Sequence, residues 1–307
     1  MSKTAFITHP ICHLHDMGDY HPECPARLQA IEEVLRSEGL DSKLIQYEAP
    51  LASNAQLSQA HSSAYIAALE RAAPSRGTVH LDPDTSMNPH SWQAALRSAG
   101  AGVHAVDLVM AGEVDNAFCA VRPPGHHAEK SRAMGFCFFN NIAVAACHAL
   151  EEHALRRVAI VDFDVHHGNG SEDIFADDER VLMCGCFQHP FYPYSGATAT
   201  GENMCNVPLE AGSDGEDLRQ AANDIWLHRL DDFAPQMFFI SAGFDAHYAD
   251  TIGGLRFTEE DYAWCTRFIK QLAAKSAQGR IVSMLEGGYN LEALASSVIE
   301  HLQVLAE

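Results

Sequence analysis

The sequence predicts an α/β protein built on a parallel sheet with helices over both faces. Its strand-like runs are apolar almost throughout instead of alternating, as strands buried on both sides must be. Helical stripes separate most of these runs. In such sheets ligands gather beyond the carboxyl ends of the strands, and the unusual polar clusters of this chain each follow an apolar run.

Taken in order, "TAFIT" (4–8) reads as a short first strand. After "HPECPA" a helix sets Leu28, Ile31, Val34 and Leu35 on one face, and Gly39 ends it. Helical patterns follow over 55–72 and 90–111, the second rich in small residues that permit close packing. Further strands are expected at 116–121, 157–165, 180–186, 236–243 and 280–288, with helices at 140–153, 214–231, 258–277 and 291–305. No internal repeat or linker interrupts the pattern, so a single domain over 1–307 is expected.

The 20 Lys and Arg against 41 Asp and Glu give a net charge of -21, which disfavours nucleic acid and anionic membrane surfaces as partners. The same charge suits a cationic substrate such as a lysine-bearing peptide or a polyamine, and it also favours solubility. Nine scattered cysteines without a CxxC pair read as reduced thiols. With no signal-peptide pattern and no apolar run of about 18 residues, the expected location is the cytoplasm.

"RPPGHH" (122–127), "DFDVHHGNG" (162–170), "GFDAH" (243–247) and "LEGGYN" (285–290) each stand at a strand end, so the topology brings four distant loops to one rim. Asp162, Asp164 and His166 alternate in the sequence, and on an extended strand they face one side with Cα atoms about 6.6 Å apart. Buried carboxylates and imidazoles are costly without a partner. Two of these residues with Asp245 make a three-ligand zinc site that leaves a position open for water, the arrangement of a catalytic metal. His167 is expected on the opposite face of the strand.

These motifs, with "HPECPARLQAI" (21–31), "RPPGHHAEKSRAMGFCFFNN" (122–141) and "VDFDVHHGNGSEDIF" (161–175), resemble the zinc-dependent histone deacetylase family, in its class II-like and bacterial branch. The resemblance runs nearly end to end. It implies a three-layer arginase–deacetylase fold with the active site at the carboxyl ends of the strands, and a zinc-dependent deacylase acting on acetyl-lysine or a similar small acylated amine. By the resemblance, Asp164, His166 and Asp245 bind Zn2+, and Asp162 stands behind His126. His127 is then the general base, with Asn169 behind it, and Tyr289 donates to the carbonyl oxygen as charge develops. Phe136 and Tyr192 form the walls of the substrate slot, Ile252 lies near its rim, and Gly135 and Gly287 allow close approach of the ligand. One or two structural K+ ions are implied as well. The first sits among the carbonyls of Asp162, Asp164, His166 and Cys186, the second near Phe175, Asp178 and Val181. Arg27 matches a family arginine beneath the site, and Asp84 is a candidate rim carboxylate.

Some residues depart from the family's pattern. Asn169 replaces a carboxylate found in the better-known branch, Tyr194 stands where a glycine is common, and Gly185 and Cys186 replace a serine and a leucine. Tyr194 is expected to narrow the mouth or reshape the pocket. The rival readings are an acetylpolyamine deacetylase, a non-catalytic acyl-lysine binding module, and an arginase-like two-manganese hydrolase. Oligomeric state, the natural acyl group and its carrier leave no mark in these residues.

Overall fold

The computed structural model describes residues 2–307. In chain order the strands are β1 (Thr4–Thr8), β2 (Ile45–Glu48), β3 (Val79–His80), β4 (Ser86–Met87), β5 (Asn116–Cys119), β6 (Val158–Asp162), β7 (Val181–Gln188), β8 (Met204–Leu209), β9 (Phe238–Ala242) and β10 (Ile281–Leu285). The α-helices are α1 (Ala26–Ser37), α2 (Asn54–Leu57), α3 (Ser63–Ala72), α4 (Ser91–Met110), α5 (Asn141–Glu151), α6 (Asn169–Phe175), α7 (Gly215–Ala221), α8 (Leu227–Phe233), α9 (Glu259–Ser276) and α10 (Leu291–Ala306). A π-helical turn, Ala222–Trp226, joins α7 to α8.

Eight strands form one parallel sheet in the order β2-β1-β5-β10-β9-β6-β7-β8. β3 and β4 pair apart from it as a short antiparallel hairpin. Every residue of β5, β6, β7, β9 and β10 is buried, which is why these runs carry no polar alternation. Neighbours on β10 show the two faces. The Ser283 hydroxyl pairs with His301 of α10, while Met284 lies against Gly102 of α4.

The register levels the functional strand ends. Cys119 is opposite Met284, Met284 opposite Ser241, and Ser241 opposite Asp162. The loops that follow β5, β10, β9 and β6 therefore leave the sheet at one height, and these four strands are neighbours in its centre.

The structure corrects several sequence expectations. The helix expected over 55–72 is two helices, because Ser53 caps α2 with a reciprocal Gln56 contact and Ser62 starts α3 anew. The edge strands β2 and β8 escaped notice. β2 is mostly exposed, and β8 holds Pro208, which an edge tolerates. The glycine-bearing start of α6 read as loop. The strand expected over 157–165 ends at Asp162, so Asp164 and His166 do not converge by strand pleating. Instead each side chain hooks the backbone two residues on: Asp162 Oδ1 accepts from Asp164 N (3.1 Å) and Asp164 Oδ1 from His166 N (2.8 Å).

Candidate active site

Asp164, His166 and Asp245 are buried, and one ligand atom from each lies within 4.8 Å of the others. His166 Nδ1 is 2.9 Å from Asp164 Oδ1 and 3.2 Å from Asp245 Oδ2. The remaining carboxylate oxygens are tied to backbone: Asp164 Oδ2 accepts from Gly287 N (2.9 Å) and Asp245 Oδ1 from Val165 N (2.9 Å). Asp245 Oδ2 is buried and has no hydrogen-bond partner among the described residues. Burial and then the Asp164 carboxylate push the Asp245 carboxyl up to about 6, a repulsion that a cation at this point would relieve. Two carboxylates and an imidazole around an unsatisfied buried oxygen fit a zinc ion.

The tandem histidines stand beside this group with ring centroids 4.0 Å apart. His126 Nδ1 lies 2.9 Å from Asp162 Oδ2, and its Nε2 is 3.8 Å from Asp164 Oδ1. Burial opposes a charge on His126, but Asp164 and Asp162 outweigh it and hold its pKa well above the ordinary imidazole range. His127 Nδ1 is 2.8 Å from Asn169 Oδ1. Burial first, then the neighbouring His126 and His166, hold the His127 pKa well below the ordinary range. Their surroundings thus shift two adjacent imidazoles in opposite directions.

Gly135 (φ 54°) and Phe136 (φ 68°) form a left-handed pair, and a Cβ on Gly135 would lie 2.4 Å from His127 Cδ2. The pair swings the Phe136 ring to 5.9 Å from that of Tyr289. Tyr192 lies edge-on to His127 at 5.3 Å and to His166 at 6.0 Å. Phe191, which sequence reasoning passed over, stacks on His166 at 5.3 Å. Burial and then the Asp245 carboxylate hold the Tyr289 phenol well above its usual range, so it remains a donor. Ile252 is half-buried, and its N–H donates to Asp250 Oδ1 (3.0 Å). Asp250 Oδ2 accepts from Tyr289 N (2.6 Å), stapling the two loops.

Tyr194 is 77% exposed and lines a cavity of about 680 Å³ beside Glu129, Asn169, His167 and Glu172. His167 turns away from His166, with Nε2 2.6 Å from Glu172 and Nδ1 2.9 Å from Ser195. Beneath the site, Arg27 donates to the carbonyls of Glu286 and Gly288 (2.6 Å each), and its Cζ is 5.0 Å from the Tyr289 ring centroid. Buried Glu23 pairs with both Arg27 and Arg122. Glu286 Oε2 accepts from the N–H groups of Gly125 (2.7 Å) and His126 (3.1 Å), which fixes the loop that carries the tandem histidines. Asp84 is half-buried and tied into its own turn by the Thr85 hydroxyl (3.0 Å). Glu286 and Asp250 had no signal in the sequence beyond lying within or near the motifs.

The two implied potassium positions differ. Asp164 and His166 are buried and no donor among the described residues reaches their carbonyls, so these two oxygens are free to serve a cation. The carbonyls of Phe175, Asp178 and Val181 instead accept from the single amide nitrogen Asn203 Nδ2, at 2.8, 3.0 and 2.9 Å. In this arrangement the Asn203 amide occupies the point on which those three carbonyls converge.

Residues 21–305 match the histone deacetylase domain. The chain belongs to the histone deacetylase family. It is 35% identical to the histone deacetylase-like amidohydrolase of Pseudomonas aeruginosa, over 94% of this chain and 82% of that one. It is 37% identical to the mouse polyamine deacetylase HDAC10, over 95% of this chain and 46% of that one. The crystal structure of the HDA15 HD domain superposes with a TM-score of 0.94 at 33% identity, covering 99% of this chain and 88% of that one. The fold is accordingly the three-layer arginase–deacetylase fold. Family membership makes the chain a hydrolytic deacylase of a zinc-dependent family.

Proposed function

We propose that this chain removes a small acyl group from the amine of a lysine side chain, or of a similar small amine, using zinc held by Asp164, His166 and Asp245. The observation that supports it most is the buried Asp245 Oδ2, which faces His166 and Asp164 and accepts no hydrogen bond among the described residues. Zinc there would polarise the amide carbonyl and lower the pKa of a water. His127 Nε2 takes a proton from the attacking water and later delivers one to the departing amine. His126, held cationic against Asp162, steadies the negative charge that develops on the carbonyl oxygen, and the Tyr289 hydroxyl donates to the same oxygen. The products are the free amine and a carboxylic acid.

Phe136 and Tyr192 suit a methylene stem, with Phe191 closing one side and Ile252 nearer the rim. One K+ belongs in this reading, among the carbonyls of Asp162, Asp164, His166 and Cys186. The nine free thiols support a reducing, cytoplasmic setting. One catalytic domain over 1–307 belongs to the same reading, supported by the single sheet that takes strands from β1 through β10. A polyamine carrier is the second reading, supported by the net charge of -21. Parallel assays on an acetylated peptide and acetylputrescine separate the two.

The test is zinc content and turnover, measured together in wild type and Asp245→Ala. Asp107, His148 and His153 also bring ligand atoms within 4.8 Å of one another, so stoichiometry is best read in a His148→Ala background. One zinc with turnover on an acetyl-lysine peptide or acetylputrescine, both lost in Asp245→Ala, is the expected result. Zinc bound without turnover of either substrate would overturn the deacylase and favour a binder.

A further inference from the structure

We infer that Glu129 is a positioning residue that sets the tautomer of His127 through Asn169. The inference rests on the hydrolytic reading above, in which His127 must offer a free lone pair at Nε2. Asn169 Oδ1 faces His127 Nδ1 at 2.8 Å, and Asn169 Nδ2 donates to Glu129 Oε1 at 2.9 Å. The same amide nitrogen also lies 3.4 Å from the Met134 sulfur. His127 and Asn169 are both buried.

An asparagine side chain has one donor end and one acceptor end, and alone it can serve an imidazole either way round. With oxygen toward Nδ1, the ring carries its proton on Nδ1 and Nε2 is a base. With nitrogen toward Nδ1, the proton sits on Nε2 and the base is lost. An aspartate at this position would face no such choice, because it only accepts. Here the carboxylate stands one side chain further back. Both neighbours of Asn169 Nδ2, the Glu129 carboxylate and the Met134 thioether, are acceptors. Turning the amide over would set two oxygens against each other across 2.9 Å and break the hydrogen bond to Glu129.

Glu129 is itself held in place. Its N–H donates to Arg132 O (2.9 Å), and its carbonyl accepts from His61 Nδ1 (3.0 Å). Asn169 is the first residue of α6, and its N–H donates to His167 O (2.8 Å). Two fixed backbones therefore present the pair. The role is one of orientation, and it needs no proton on Glu129.

The experiment compares zinc-loaded wild type, Glu129→Gln, Asn169→Asp and the double variant, with melting temperature and zinc content checked for each. Glutamine can turn its own amide and so releases the constraint. We expect kcat to fall on the order of tenfold in Glu129→Gln, with KM little changed. Asn169→Asp alone should also lose rate, because two carboxylates then meet. In the double variant the new carboxylate accepts both from His127 and from the new glutamine amide, and the rate should return to near wild type. Losses that multiply in the double variant, or wild-type kinetics in Glu129→Gln, overturn the inference. ¹⁵N spectra of labelled histidine give a readout independent of turnover: His127 carries its proton on Nδ1 in wild type and the double variant, and on both nitrogens in exchange in Glu129→Gln. If wild type cleaves no acyl amine, the hydrolytic reading fails, and these spectra still decide whether Glu129 sets the tautomer.

Discussion

Gly287 donates its N–H to Asp164 Oδ2 at 2.9 Å, and a Cβ on Gly287 would stand 2.1 Å from Asp245 Oδ2. One backbone position thus orients one carboxylate of the proposed metal group and leaves room for another. Gly287→Ala should fold, since its backbone is not in the left-handed region, but should lose most bound zinc. Zinc content by atomic absorption alongside a melting curve checks this, and full zinc occupancy would contradict it.

Tyr289→Phe removes the hydroxyl while keeping the ring that packs against Phe136 and under Arg27. Expected is a loss of about 10²–10³ in kcat with zinc retained and KM little altered, the size found when one oxyanion donor is removed. A steady-state comparison on one acetyl-lysine peptide suffices, and a change in KM alone would point to a wall residue.

Glu172 accepts from His167 (2.6 Å), the Thr200 N–H and hydroxyl (2.7 and 2.6 Å) and Asn206 (2.8 Å). Burial works against its charge, but these bonds prevail, the His167 bond foremost, and its pKa falls to about 2. A carboxyl depressed on folding contributes stability above its unfolded pKa and loses it as pH falls through the folded value. The contribution should therefore be complete above about pH 5 and vanish toward pH 2. Denaturant midpoints at pH 6 and pH 3 should differ less in Glu172→Gln than in wild type.

Crystals soaked in thallium should show anomalous density among the carbonyls of Asp162, Asp164, His166 and Cys186. None is expected among those of Phe175, Asp178 and Val181, where the Asn203 amide stands. Asn203→Ala should open that second position to the ion. Density there in wild type would show that Asn203 moves aside.

The centre of the sheet was legible because strands buried on both faces have no choice but to be apolar, and β5, β6, β7, β9 and β10 all have this property. Its edges were not: β2 is short and mostly exposed, and β8 breaks its pattern with Pro208. Asp164, His166 and Asp245 were picked out because strand ends make ligand sites, although the side-chain hooks that bring the first two together cannot be read from alternation. Phe191 and Tyr192 are adjacent aromatics, and only the three-dimensional path tells which stacks on His166. Glu129, Asp250 and Glu286 act by hydrogen bonds to loops distant in the chain, and no local pattern marks such contacts.

The strand order has a consequence for how the protein is made. Of the eight strands of this sheet β10 is the last to be synthesised, yet its place is between β5 and β9 in the middle of the sheet. A nascent chain that has released residues up to β9 cannot finish by adding a strand to an edge. It must hold a slot open, or pair β5 with β9 wrongly and later undo it. The loop after β10 carries Gly287 and Tyr289, so an incomplete chain lacks part of the catalytic rim however well the rest has collapsed. Completion of the sheet and completion of the catalytic rim are therefore coupled at β10.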